Sequence, residues 1–151
     1  MKFKDMLTKK TKGIKFSELK QLFLFTKRKI PLRIANTVQN HFLKGFDRGG
    51  GSTNASVGGW KARKTSRSSR ERKRSVGRAL LVRSGKLRSD IRKKKISFRN
   101  ITVGTNSIPY AGFLNDGTPR MVQREFIGQS RVLDKKVENI LNKELDKLFK
   151  R

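Results

Sequence analysis

Apolar side chains recur at helical spacing near both ends of the chain. In the N-terminal part they occupy every fourth position, at Ile34, Val38, Phe42 and Phe46. From residue 129 to 151 they fall on one face of a second helix, at Leu133, Val137, Ile140, Leu141, Leu145 and Leu148. Such spacing is typical of amphipathic helices. Ser17 is the predicted N-cap of the first helical region, where Pro31 either introduces a kink or begins a second helix.

Between residues 80 and 128 the pattern changes to that of a β-ribbon. Ile91 and residues 96–98 fall in the first predicted strand, and Ile101 alternates with Val103 in the second. Alternation with a period of two is typical of a half-buried strand. We expect the C-terminal helix to pack across this ribbon. A single turn of helix follows the ribbon and is predicted to bury Tyr110, Phe113 and Leu114.

These elements predict an α+β fold, in which an antiparallel hairpin is packed by N-terminal helices and a long C-terminal helix. The 151 residues are enough for one domain with a modest core. Residues 1–15 are a predicted basic arm, and residues 47–78 a flexible loop that is rich first in Gly and Ser and then in Lys and Arg. Trp60 is predicted to anchor this loop on the core, with base stacking as the alternative.

The charge of the chain is extreme and unevenly distributed. The formal net charge is +28, and residues 61–95 supply half of it with 16 Lys or Arg against two acidic residues. A solvated loop kept for solubility is the weaker interpretation, because one sign dominates so completely. Such a segment is expected to contact a polyanion without reading its sequence. The predicted contacts to nucleic acid or to an acidic partner are Lys61, Arg63, Lys64, Arg67, Arg70, Arg72, Lys73, Arg74 and Arg78.

The sequence contains no catalytic or metal-binding pattern. There is no cysteine, and His41 is the single histidine, so a multi-histidine metal site is excluded and the serines have only one possible base. We expect His41 to be a partly buried or surface residue without chemistry. Asp116 and Glu125 form one conceivable carboxylate pair, but Arg120 and Arg124 lie between them and favour structural ion pairs. We therefore predict no enzymatic activity and no cofactor or metal.

Hydropathy predicts neither a membrane span nor an export signal. No apolar run approaches the roughly 20 residues that cross a bilayer. The first residues, MKFKDMLTKKTKG, lack the apolar core of a signal peptide. We expect the protein to be made and assembled in the cytosol.

The order of short motifs along the chain resembles that of a known family. The motifs are NHFLKGF, a glycine loop, WKARK, LL followed by SGKLRSDI, ITVGTN, PYAGFLNDG and QREFIGQS. In this order they resemble the phage virion morphogenesis family of tail-completion or tail-terminator proteins, over residues 17–148. The matching residues are Trp60, Lys61, Leu80, Leu81, Gly85, Leu87, Arg88, Ile91, Val103, Gly104, Tyr110, Ala111, Gly117, Arg124, Phe126, Ile127 and Gly128.

Two positions depart from the family pattern. Leu114 and Asn115 stand where family members usually have histidine, and Gln123 stands where they often have proline. Neither departure affects a catalytic role, because the resemblance implies none.

The resemblance implies a structural virion subunit that closes into a ring at the junction of head and tail. The hairpin and the C-terminal helix would make the subunit contacts, with six subunits favoured and twelve possible. The implied partners are portal or connector proteins, tail-tube proteins and packaged DNA in the lumen, with no membrane. Six copies of a +28 chain would carry +168, so anions must lie nearby.

A monomeric nucleic-acid-binding protein of ribosomal or chromatin type is the alternative function. The charge alone would suit it equally well, whereas the ordered motifs from Leu80 to Gly128 favour the virion protein. A membrane-active basic peptide ranks third, because the chain lacks a long and strongly apolar face.

Overall fold

A long helix is the first described element of the computed structural model, which describes residues 16–62, 79–82 and 84–149. This helix, α1, spans Phe16–Arg48 and runs through Pro31. No second helix therefore begins at Pro31, and Ser17 lies inside α1 instead of capping it. The missing N–H of a proline weakens a helix interior, but here the proline is buried next to Ile30, and packing offsets that loss.

Residues 49–60 fold back on the end of α1. The Gly50 N–H donates to the carbonyl of Gly45 over 2.8 Å, and the Trp60 N–H donates to the carbonyl of Gly49 over 2.7 Å. Between them, Thr53 caps a short 3₁₀ helix, Asn54–Ser56, with its side chain. The Gly/Ser half of the predicted flexible loop thus has defined turns, while residues 63–78 lie outside the described residues.

A short helix and an antiparallel hairpin follow. Helix α2 spans Lys86–Ser89, strand β1 spans Arg92–Ile96 and strand β2 spans Ile101–Gly104. The strands pair from Arg92 opposite Gly104 to Ile96 opposite Ile101, with a bulge between Lys93 and Lys95.

The prediction of a half-buried ribbon is wrong for β1. Every residue of β1 is exposed, whereas β2 is partly buried. The reason is the composition of β1, because four successive cations cannot be buried without partners. Ile91, just before β1, is buried instead, and Phe98 in the turn is 53% exposed.

Helix α3 spans Ala111–Asp116, as predicted, but it buries different side chains. Tyr110 is 47% exposed and Phe113 is 59% exposed, so the expectation that the turn would bury them is wrong. Ala111 is buried and Leu114 is half-buried. Residues three apart share a helix face, so the inward face of this short helix carries Ala111 and Leu114.

The C-terminal helix α4 spans Arg131–Phe149 and packs against α1, not across the hairpin as predicted. Its Leu133 is buried, and Glu144 forms ion pairs with Arg33 of α1 and, over 3.1 Å, with Lys147. The apolar stripe of α4 finds a matching stripe on α1, whereas exposed β1 offers mainly cations.

Residues 49–60 form the connector that follows α1. The core lies where the end of α1, this connector, α2, α3 and the segment before α4 meet. Its buried members are Phe46, Trp60, Leu87, Ile91, Ala111 and Phe126. Phe46 contacts Trp60 edge-on, with ring centroids 5.5 Å apart, and contacts Phe126 at 5.6 Å. The predicted α+β architecture, with its hairpin and long C-terminal helix, is confirmed.

Candidate nucleic-acid interface

Several motif residues that carry the resemblance meet in this core. Trp60, Leu87 and Phe126 are buried together, and Leu80 and Leu81 pack against them at the edge. The indole N–H of Trp60 donates to the carbonyl of Glu125 over 2.9 Å. The anchor role predicted for Trp60 is therefore confirmed.

Several glycines of the motifs lie at or near the ends of elements. Gly85 precedes α2, Gly117 follows α3 and Gly128 lies shortly before α4. Tyr110 also precedes α3, but its side chain is 47% exposed and lies outside the core cluster.

The predicted polyanion contacts begin at a segment that the core holds in place. Lys61 is exposed, and the guanidinium of Arg124 donates to the carbonyls of Lys61 and Ala62 at 3.3 to 3.5 Å. At the other end of the basic segment, after residue 78, Leu80 packs against the core. The other predicted contacts lie outside the described residues: Arg63, Lys64, Arg67, Arg70, Arg72, Lys73, Arg74 and Arg78. Both flanks of the basic segment are thus fixed to the folded core.

Strand β1 adds cations that the predicted contact set omitted. Residues 92–95 are Arg-Lys-Lys-Lys, and all four are exposed. These residues belong to the charged stretch 61–95, but the predicted contacts end at Arg78. The signal was the charge run itself, because a strand of four cations has no apolar face to bury.

Most of the nearby carboxylates are held by partners within the fold. Asp47 pairs with Arg88 at 3.0 Å, and Glu125 accepts a hydrogen bond from the Thr53 hydroxyl at 2.9 Å. Four of the eleven acidic residues lie on α4. These carboxylates have partners within the fold or lie on α4, and Arg92 of β1 is attracted by the carboxylate of Asp90.

Asp90 fixes the geometry at the base of the hairpin. One oxygen of its buried carboxylate accepts the backbone N–H groups of Asn106 at 2.8 Å and Ser107 at 2.9 Å. The bond from Ser107, followed by that from Asn106, lowers the pKa of Asp90. This carboxylate ties the start of β1 to the segment after β2, a structural role that the sequence analysis missed.

His41 joins three segments of the described fold. Its Nε2 lies 2.7 Å from the Ser52 carbonyl and 3.0 Å from the Ser130 hydroxyl, and Nδ1 lies 3.4 Å from the Lys136 amine. An N–H at Nε2 donating to Ser52 leaves Nδ1 free to accept from Lys136. Desolvation by burial is the main cause that lowers the pKa of His41. The histidine is buried with structural partners.

Among the described residues, the expected ion pairs of Asp116 and Glu125 with Arg120 or Arg124 do not form. Glu125 is bound by Thr53, and Arg124 donates to backbone carbonyls. Asp116 accepts from the side-chain amide of Asn115 at 3.1 Å. Residues 49–60 fold back on the core and bring Thr53 to Glu125, a contact that the linear sequence does not show.

Residues 16–62, 79–82 and 84–149 hold no group of three His, Cys, Asp or Glu placed to bind a metal. In the same ranges no helix is long and apolar enough to cross a membrane. An open groove between α1 and α4 is lined by Val38, Leu133, Val137 and Leu141, together with charged residues of α4.

The arrangement therefore presents cations on a folded hairpin and beside an anchored basic segment. Comparison with protein-family models, curated proteins and solved structures found no match to this chain.

Proposed function

We propose that this chain is a structural subunit of the phage head–tail junction, a tail-completion, tail-terminator or neck protein. Its copies form a ring that joins the tail to the head connector, with six subunits favoured. Its basic segments contact packaged DNA or acidic faces of neighbouring virion proteins. It acts in the virion after assembly in the host cytoplasm, and it turns over no substrate.

The observation that carries the proposal is the convergence of the family-like motifs on one core. Trp60, Leu87 and Phe126 are separated by up to 66 positions in the sequence, yet they share one buried cluster. A charge-driven binder has no need of such a series of motifs. The packing of these residues in one core supports the proposal, because the motifs that carry the resemblance are then joined in the folded structure.

Exposed apolar groups on the two expected contact elements give further support. On α4, Val132 is 56% exposed and Leu141 is 37% exposed. On the hairpin, Ile96 is 41% exposed and Phe98 is 53% exposed.

The alternative function is a monomeric nucleic-acid-binding protein of ribosomal or chromatin type. The exposure of all of β1, together with the net charge of +28, favours it as the second candidate. It predicts strongly salt-dependent binding of DNA or RNA by a monomer.

Native mass by light scattering distinguishes the two functions. The protein is measured at high salt and again at low salt with short duplex DNA. A ring of six 17.3-kDa chains has a mass of about 104 kDa before bound DNA is added. A discrete ring-sized species in either condition supports the proposal. A strict monomer in both conditions contradicts self-assembly and favours the alternative.

A matched pair of variants tests whether α4 makes the subunit contact. Val132→Glu places a charge on the exposed face of α4, and Val57→Glu makes the same change in the connector, where Val57 is 78% exposed. A negative side chain suits the first turn of a helix, so V132E leaves the subunit fold intact. We expect V132E to shift the mass towards the monomer and V57E to leave it unchanged. If V132E and V57E have the same native mass, α4 is not part of the subunit interface.

A further inference from the structure

The bulge in β1 changes which cations share a face of the hairpin. In a regular strand, successive side chains alternate between the two faces. Residues 92–95 would then place two cations on each side. Here Lys93 lies opposite Val103 and Lys95 lies opposite Thr102, so Lys94 is the extra residue. A bulge of this kind resets the alternation in the bulged strand.

The inner face of the hairpin is the face that looks towards α1. Paired residues share a face, so Lys93 and Val103 point the same way. Lys93 donates from its amine to the side-chain carbonyl of Asn36 on α1 over 2.7 Å, and Val103 packs against the core. Lys93 is therefore used within the fold.

The other three cations lie on the outer face of the hairpin, which points away from α1. Arg92 lies opposite Gly104 and Lys95 lies opposite Thr102, which places both on the face away from Val103. The Lys94 side chain joins them, because its Cε lies 3.7 Å from where a Cβ on Gly104 would stand. Arg92, Lys94 and Lys95 thus cover one side of a ribbon whose opposite strand contributes only Thr102 and Gly104.

This outer face has the chemistry of a phosphate-binding surface. Protein interfaces usually depend on buried aromatic or aliphatic anchors, and the residues of this face include none. Contacts to a nucleic-acid backbone need only closely placed cations and small neighbours that allow approach. The absence of an apolar anchor favours a nucleic acid over an acidic protein.

We infer that the outer face of the hairpin, formed by Arg92, Lys94 and Lys95 over Thr102 and Gly104, binds the phosphate backbone of duplex DNA. The face is a preformed part of the polyanion interface, distinct from the basic segment after Trp60. The inference rests on the proposed function for the source of the DNA, whereas the binding itself requires no ring.

The test is the salt dependence of binding to short duplex DNA. The full-length protein is compared with the triple variant R92Q/K94Q/K95Q by fluorescence anisotropy, from about 0.05 to 0.2 M salt. Loss of three phosphate contacts makes the slope of log Kobs against log salt about 2.7 less steep. The control K44Q/K135Q/K143Q removes three exposed charges from α1 and α4, and we expect its slope to stay close to that of the wild type.

A second series leaves all three cations in place. Thr102 is exposed on the same face. We expect Thr102→Glu to weaken DNA binding, Thr102→Lys to tighten it and Thr102→Gln to leave it nearly unchanged. A merely structural effect of replacing the threonine would move all three variants in the same direction.

Lysine-modification footprinting assigns the contact to one face. We expect DNA to protect Lys94 and Lys95 from modification, while Lys93 on the inner face keeps its reactivity. Equal slopes for the two triple variants would overturn the inference. So would a triple variant that changes binding to polyglutamate but not to DNA, because the face would then recognise an acidic protein.

The outcomes for the hairpin and for the ring are separate. If the wild type and R92Q/K94Q/K95Q have the same salt slope and the protein still forms a ring, only the hairpin site is contradicted. If their slopes differ and the protein is a strict monomer, only the ring is contradicted.

Discussion

The buried cluster around Phe46 and the strand β1 are joined through Ile91, yet they meet opposite physical demands. Phe46 and Phe126 are at most 2% exposed, and the cluster is made of apolar side chains. The next residues, Arg92 to Ile96, are all exposed. The cluster supplies the free energy of folding through burial. Lys93 donates to Asn36 and Arg92 is attracted by Asp90, but the cations of the strand are exposed and therefore available to a partner.

The largest effect should come from the cluster. Phe46→Ala removes a fully buried ring that contacts Trp60 and Phe126. We expect it to lower the free energy of unfolding by about 3–5 kcal/mol, measured by urea denaturation. The matched change Phe98→Ala, in the exposed hairpin turn, should cost no more than about 0.5 kcal/mol. Similar losses for both would mean that the hairpin turn is part of the folding core.

A smaller effect should distinguish two neighbouring glycines of the connector. Both have positive φ, +71° at Gly49 and +121° at Gly50. A Cβ at Gly50 would lie 2.6 Å from the backbone nitrogen of Trp60, whereas one at Gly49 would meet nothing within 4 Å. We expect Gly50→Ala to cost about 3 kcal/mol and Gly49→Ala about 1 kcal/mol in the same assay.

The opposite order would contradict this account of the connector. It would mean that residues 49–60 are not held against the core. Tryptophan fluorescence provides a second measurement, because G50A should expose the indole of Trp60 to water.

A modest pH dependence should arise from His41. Its pKa is below the ordinary value of 6.5, mainly through burial, with Lys136 and Arg48 adding repulsion to the charged form. The unfolded chain therefore binds the proton more readily than the folded chain. The resulting stability is present above about pH 6.5 and is lost as the pH falls through the lowered folded pKa.

Urea midpoints between about pH 7.5 and pH 5 measure this effect. The chain has a single histidine, so His41→Asn should remove the dependence on pH across this range. A wild-type midpoint that rises as the pH falls would contradict the assigned direction.

The smallest effect on stability should come from the charged strand. R92Q/K94Q/K95Q should change the free energy of unfolding by no more than about 0.5 kcal/mol for each side chain replaced, since single exposed substitutions rarely do more. The same variant should reduce DNA binding. A large loss of stability would mean that β1 contributes to the stability of the fold. The strand would then not differ from the buried cluster in this respect.

Local patterns predicted the elements better than the surfaces those elements bury. The periodic stripe in α1, the hairpin, α3 and the anchor role of Trp60 all follow from spacing and residue type. The exposure of Tyr110 and Phe113 does not, because a six-residue helix buries only one face and the pattern does not identify it.

Long-range contacts account for the other differences. The pairing of α4 with α1 depends on the complementarity of two stripes far apart in the chain. The bulge at Lys94 depends on the register between strands, which a run of similar residues does not encode. Asp90 was overlooked because its partners, the backbone N–H groups of Asn106 and Ser107, lie 16 and 17 positions away.

The most direct measurement of the proposed ring is electron microscopy of the purified protein, with and without short duplex DNA. The account predicts a closed annulus in class averages, with sixfold symmetry favoured, in at least one of the two samples. A twelvefold annulus would support the ring and revise its subunit number. Preparations with no closed annulus in either condition would contradict the claim that this chain assembles by itself into a head–tail ring.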